Sequence, residues 1–166
     1  MRLSLLMASA VLLLAACSPG AGEASPAADQ VAGGQAAGAA HPVSGLAVVP
    51  LTVTSGKTSH TFRVEVAGTS AQQAKGLMFR TAMGADEGMI FPMNPPRAAN
   101  FWMRNTVIPL DLIFVGPDGR ILNIAANAVP YDERPLASAG LVKGVLELNG
   151  GRAAQLGIVA GDLVEW

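Results

Sequence analysis

Trp102, Arg104, Asn105, Thr106 and Asp111 fall within one short stretch, and together they could do chemistry. The indole offers a flat face, the guanidinium a fork of donors, the amide and hydroxyl groups that both donate and accept, and the carboxylate an acceptor. That is the equipment for holding a sugar or another polyol-like ring. If residues 101–104 are extended, Trp102 and Arg104 share one face, with Phe101 and Met103 on the other. The competing reading is a core Trp capped by the stem of an amphipathic Arg. Asp111 lies in the apolar run 107–115, where alternation groups it with Val107, Pro109, Ile113 and Val115. A carboxylate in such company is costly unless paired, so Arg80 or Arg104 is its expected partner. There it either clamps the bend at Asn105 and Thr106 or lines a cleft beside Trp102.

Other sets are thinner. Asp111 with Glu147 is a carboxylate pair of the kind a glycan hydrolase would need. Met78, Met83, Met89, Met93 and Met103 could offer thioethers to Cu(I), but Met is more often core filler, and neither His nor Cys reinforces the set. His41 and His60 are the two histidines and Cys17 the single cysteine. A His-based triad, a zinc cluster or a catalytic thiol inside the domain therefore has no support, and neither a metal nor a cofactor is expected. The chain carries 11 Lys and Arg against 12 Asp and Glu, a net charge of −1. That balance makes no electrostatic case for nucleic acid.

The elements that must position these residues read as mostly β. Residues 46–54 form a strand, with Pro50 at an edge or bulge. After the turn at Ser55-Gly56-Lys57, residues 61–66 alternate, with Phe62, Val64 and Val66 on one side and Arg63 and Glu65 on the other. Thr69 and Gln72 form a capping box that opens a short helix from Ser70 to about Leu77. Residues 88–93 are a strand, closed by Asn94-Pro95-Pro96. Residues 98–103 and 107–115 are extended, and Gly116-Pro117-Asp118-Gly119 turns the chain into a strand over 120–125. Residues 129–136 are a loop and 141–148 a strand. Asn149-Gly150-Gly151 opens a short helix through Leu156, stopped by Gly157. Gly161-Asp162 turns into the last strand. The expected fold is a mainly β, compact, barrel-like (cradle-loop-like) single domain with two short helices over residues 46–166.

The beginning of the chain has another character. A basic start and the apolar run 3–14 read as a signal peptide over residues 1–16. Leu14-Ala15-Ala16-Cys17 resembles a bacterial lipobox, which implies lipidation at Cys17 and a membrane anchor facing the periplasm or cell exterior. Residues 17–45 then form a lipidated, disordered Ala/Gly/Ser/Pro tether, poor in large apolar side chains, with His41 inside it.

Taken in order, Gly76-Leu77-Met78-Phe79-Arg80, Gly88-Met89-Ile90-Phe91, Phe101-Trp102-Met103-Arg104-Asn105-Thr106 and Ile108-Pro109-Leu110-Asp111 resemble the family catalogued as domain of unknown function 192. Val145-Leu146-Glu147-Leu148-Asn149-Gly150-Gly151 and Gly161-Asp162 extend the likeness, which covers roughly residues 61–166. Arg104 stands where many members carry Lys, and Gly151 where another small residue is frequent. The resemblance implies a small barrel-like domain, often exported, and no settled activity.

The expected function is a cell-envelope lipoprotein that binds a small polar or glycan-like ligand through Trp102, Arg104, Asn105, Thr106, Asp111 and Arg80. A hydrolase using Asp111 and Glu147 and an accessory protein docking on an envelope complex are the alternatives. Binding outranks catalysis, because no His or thiol lies near the central run. The membrane, through Cys17, is the expected partner surface, and nucleic acid is not.

Overall fold

The computed structural model describes residues 39–166. The signal segment, Cys17 and residues 17–38 of the tether lie outside the described residues. Seven strands make one sheet: β1 (Val48–Ser55), β2 (Thr58–Val66), β3 (Glu87–Phe101), β4 (Leu110–Val115), β5 (Ile121–Ala128), β6 (Leu136–Asn149) and β7 (Leu163–Glu165). Helix α1 (Ser70–Lys75) joins β2 to β3, and α2 (Arg152–Leu156) joins β6 to β7. The strand order is β5-β4-β6-β3-β2-β1-β7, antiparallel throughout except for the β2–β3 pair. The two outer strands meet through an Arg120–Leu163 bridge, with Ile121 N–H donating to Asp162 C=O at 2.9 Å and Val164 N–H to Gly119 C=O at 2.8 Å. The sheet therefore curls into a half-barrel and touches itself at one end.

Alternation along the strands builds a core on each side of the sheet. Leu51, Val53, Phe62, Val64, Ile90, Ile113, Leu146 and Leu148 fill the concave side. Met89, Phe91, Met93, Met103, Leu112, Phe114 and Val145 form a second cluster on the convex side, against the segments that follow β2 and β3. Each fully buried large side chain contributes roughly 1.5–3 kcal/mol. Three of the five methionines of the sequence cluster, Met89, Met93 and Met103, are core filler here.

Local signals shape the connections. Thr69 Oγ1 accepts from Gln72 N–H at 3.2 Å while Gln72 Oε1 accepts from Thr69 N–H at 2.8 Å, completing the capping box. Gly116 N–H donates to Arg120 C=O at 2.7 Å across the 116–119 turn. Gly157 ends α2 in the left-handed conformation.

Several boundaries differ from expectation. β3 runs straight through Asn94-Pro95-Pro96, because β6 is long enough to pair on both sides of it, with a register shift between Pro92 and Arg97. It stops at Phe101, so Trp102 to Arg104 are not strand. Residues 39–45, expected in the tether, bridge Ala40 to Ala47 and carry His41 and Ser44 onto Glu65.

Candidate ligand-binding cleft

Asp111 is fully buried on the concave side, beside Leu148, its register partner on β6. Among the described residues, no arginine reaches it. Its Oδ1 accepts from Asn127 N–H at 2.7 Å and Gly151 N–H at 2.9 Å, and its Oδ2 from Ala153 N–H at 2.8 Å. The N-cap of α2 is Gly151, which has no side chain to cap with, and the carboxylate of Asp111 supplies the missing acceptor from another strand. Asn149-Gly150-Gly151 fits this geometry. A Cβ at residue 150 would stand 2.6 Å from Asn127 Oδ1, and Gly151 has φ +82°. The expected Arg80 or Arg104 partner is therefore replaced by backbone N–H groups, and the clamp holds α2 rather than the Asn105-Thr106 bend.

Arg80 instead serves Glu65. Its Nη1 lies 2.9 Å from Glu65 Oε1 and its Nη2 donates to Oε2 at 3.1 Å. Ser44 Oγ also donates to Glu65, and His41 Nε2 is 3.6 Å away. This cluster closes one wall of a hollow of about 750 Å³ lined by Val43, Leu46, Phe79 and Arg80. Its Arg80 cation is already paired with Glu65, while Lys75 also lines the hollow.

The turn after β3 arranges the remaining residues. Asn105 sits at φ 54°, a left-handed conformation that Asn tolerates. Its C=O accepts from Phe79 N–H at 2.8 Å, and its side-chain amide lies 3.8 Å from Met78 Sδ. Asn105 is thus a scaffold residue. Thr106 is buried, with its Oγ1 donating to Arg104 C=O at 3.3 Å. Trp102 is 49% exposed, and the Arg104 guanidinium stacks over it 5.5 Å from the ring centroid. Arg104 Nε also lies 3.7 Å from Glu133 Oε1. The expected Trp–Arg platform exists, made by the turn and not by strand alternation.

Trp102 and Thr106 open onto a cleft of about 430 Å³ on the convex side of the sheet, walled by Phe91, Phe101 and Met93. Phe91 and Phe101 meet edge to face at 5.0 Å. Lys75 and Arg97, both exposed, add two cations to its lining. Glu147 lies in it between its register partners Met89 and Leu112, and only 5% of it is exposed. Among the described residues its carboxyl has neither a hydrogen bond nor an ion pair, and burial pushes it up to about 8. Sequence reasoning used Glu147 only as the partner of Asp111. The two carboxyls leave opposite faces of the sheet, so that catalytic pair does not exist. The signal was nonetheless present: Glu147 interrupts an apolar strand just as Asp111 does. Lys75 and Arg97 carried no such signal, since they come from a helix and a strand far apart in sequence.

A curled seven-stranded sheet with one aromatic-walled cleft defines a small, mainly β, barrel-like domain. The chain belongs to the DUF192 family, described as "Uncharacterized ACR, COG1430", whose profile matches residues 51–166. A crystal structure of a protein of unknown function from Novosphingobium aromaticivorans DSM 12444 is 67% identical, with a TM-score of 0.77 over 80% of this chain and 94% of that one. A second, from Sinorhizobium meliloti 1021 and named a "putative transcription regulator", is 38% identical, with a TM-score of 0.70 over 72% of this chain and 94% of that one. No curated protein matches the chain.

Proposed function

We propose that this protein is a cell-envelope lipoprotein whose domain binds a small polar, glycan-like ligand in the Trp102 cleft. One observation carries the reading: a half-exposed indole and a buried carboxyl without a partner among the described residues line the same concavity. Buried polar groups are ordinarily hydrogen-bonded, so an unpartnered one in a cleft marks a place for a ligand. Binding remains ahead of hydrolysis because the cleft holds one carboxyl, not two. A nucleic-acid role, as the regulator name of the Sinorhizobium relative suggests for that protein, has no electrostatic support in this chain, whose 11 basic residues face 12 acidic ones.

Trp102 fluorescence, titrated with a panel of cell-wall sugars and glycan fragments, tests the site. A shift that Trp102→Ala abolishes supports it, and a flat response across the panel removes it. The anchor rests on the lipobox-like run ending at Cys17, and Cys17→Ser should release the protein from the membrane fraction. A mutant still membrane-bound after a salt wash rules the anchor out.

A docking role is the second reading, favoured by two further exposed aromatics. Phe79 and Tyr131 are 68% and 61% exposed, and their N–H groups bond to Asn105 and to Met103 and Thr106 of the same turn. Cross-linking from position 79 or 131 in cells should then capture one discrete partner, and an absence of adducts at both positions would set this role aside.

A further inference from the structure

We infer that the cleft selects ligands with a protonated primary amine, seated on Glu147, and favours those that also carry a carboxylate, as a free dipeptide does. This rests on the binding reading above and names its ligand class.

Two deep polar side chains line the cleft: Thr106, whose Oγ1 is bonded to Arg104 C=O, and Glu147, which is more than nine-tenths buried and without a partner among the described residues. Burial keeps most of the Glu147 carboxyl protonated at neutral pH, so a hydroxyl ligand would give it only one neutral hydrogen bond, whereas an ammonium lets it ionise against a partner charge. An ammonium supplies both the donor and the compensating charge, and charge-assisted bonds are about twice as strong as neutral ones. The remaining walls suit a cation too, since Phe91, Phe101 and Trp102 present aromatic rings to the space.

The other charged groups in the lining have the opposite sign. Lys75 and Arg97 are exposed, and Arg97 Nη2 is held by Gln73 Oε1 at 3.3 Å. They disfavour a ligand that is cationic throughout and attract an anionic group at its outer end. An amine within and a carboxylate without is the complement of that charge arrangement.

The test uses the unaltered protein at neutral pH with the dipeptide Ala-Phe, N-acetyl-Ala-Phe, glucosamine, N-acetylglucosamine and glucose, read by calorimetry and by Trp102 fluorescence. Ala-Phe and glucosamine should each bind at least about tenfold more tightly than their acetylated forms, the scale expected for a charge-assisted bond. Glu147→Gln should remove that preference. Arg97→Ala should weaken Ala-Phe several-fold and should not weaken glucosamine, which loses only a repelling charge. Acetylated or neutral probes binding as tightly as the amines would overturn the amine inference while leaving the cleft a binding site. Silence from every probe would remove the binding reading along with it. Because acetylation is compared on the unaltered chain, the result does not depend on the variants folding.

Discussion

Asp111 and Glu147 stand on adjacent strands one register step apart, Asp111 opposite Leu148 and Leu112 opposite Glu147. Their side chains therefore leave opposite faces of one sheet. The first meets three backbone N–H groups, and the second meets none among the described residues. Two buried acids one pleat apart thus differ: one is tied into the fold by backbone donors, and the other has no partner among the described residues.

Asp111→Ala should strand the N–H groups of Asn127, Gly151 and Ala153, the last of them buried and the other two bonded in partly buried places. A buried orphaned donor costs roughly 1–3 kcal/mol and a partly solvated one less, so a total loss of about 3–5 kcal/mol is expected in urea unfolding. Asp111→Asn keeps one acceptor oxygen and should fall between the two. A loss below about 0.5 kcal/mol, the range of a neutral surface change, would contradict this role.

Glu147 should make stability depend on pH. The unfolded chain releases its proton near 4.5, while the folded protein keeps it to about 8. Between those values the folded state holds the extra proton, so this stabilisation is full below pH 4.5 and is lost as pH rises through 8. The slope from this group is at most ~1.4 kcal/mol per pH unit. Glu147→Gln should lack the decline and melt above the parent protein at pH 8, with little difference at pH 4. Parallel pH profiles for the two would refute the assignment.

Residues 39–45 should contribute to the stability of the domain. A chain beginning at residue 46 leaves Glu65 with Arg80 alone, without Ser44 or His41, and should lose roughly 1–3 kcal/mol against one beginning at residue 39. Ser44→Ala in the longer chain should reproduce part of that loss. Identical melting of the two chains would show that the contacts carry no net energy.

Trp102→Ala should separate binding from folding. The ring is half-exposed and, among the described residues, stacks with Arg104, so urea midpoints should move little. Ligand affinity should fall by at least ~2 kcal/mol, as for a seated aromatic anchor. A large stability loss would instead make the indole part of the convex core.

Much of the fold was legible wherever the cause is local. The Thr69–Gln72 capping box, the 116–119 turn and the stop at Gly157 each depend on a few neighbouring residues. β3 was read as two pieces because its continuity comes from β6, and pairing partners that distant leave no mark on the strand itself. The cost of burying Asp111 was legible too, but not its remedy, because backbone N–H groups are the same at every position and only the fold decides which of them converge. Arg80 and Glu65 meet because β2 and the segment after α1 pack together, so neither residue type nor spacing announces the pair. Trp102 and Thr106 were found from their chemistry. The cleft they share with Glu147 exists only once the sheet has curled.

The closure of that sheet bears on how the protein is made. β1 takes β7 as its second neighbour, and Arg120 needs Leu163 to join the outer strands. A growing chain that has already produced β1 to β6 therefore still lacks the strand that completes the barrel, and Leu51 and Val53 wait on the concave side without Val164. Long-range pairing of this kind is slow to form even when all the parts are present. Closure of the sheet therefore waits on residues 163–165, the last strand of the domain to be synthesised.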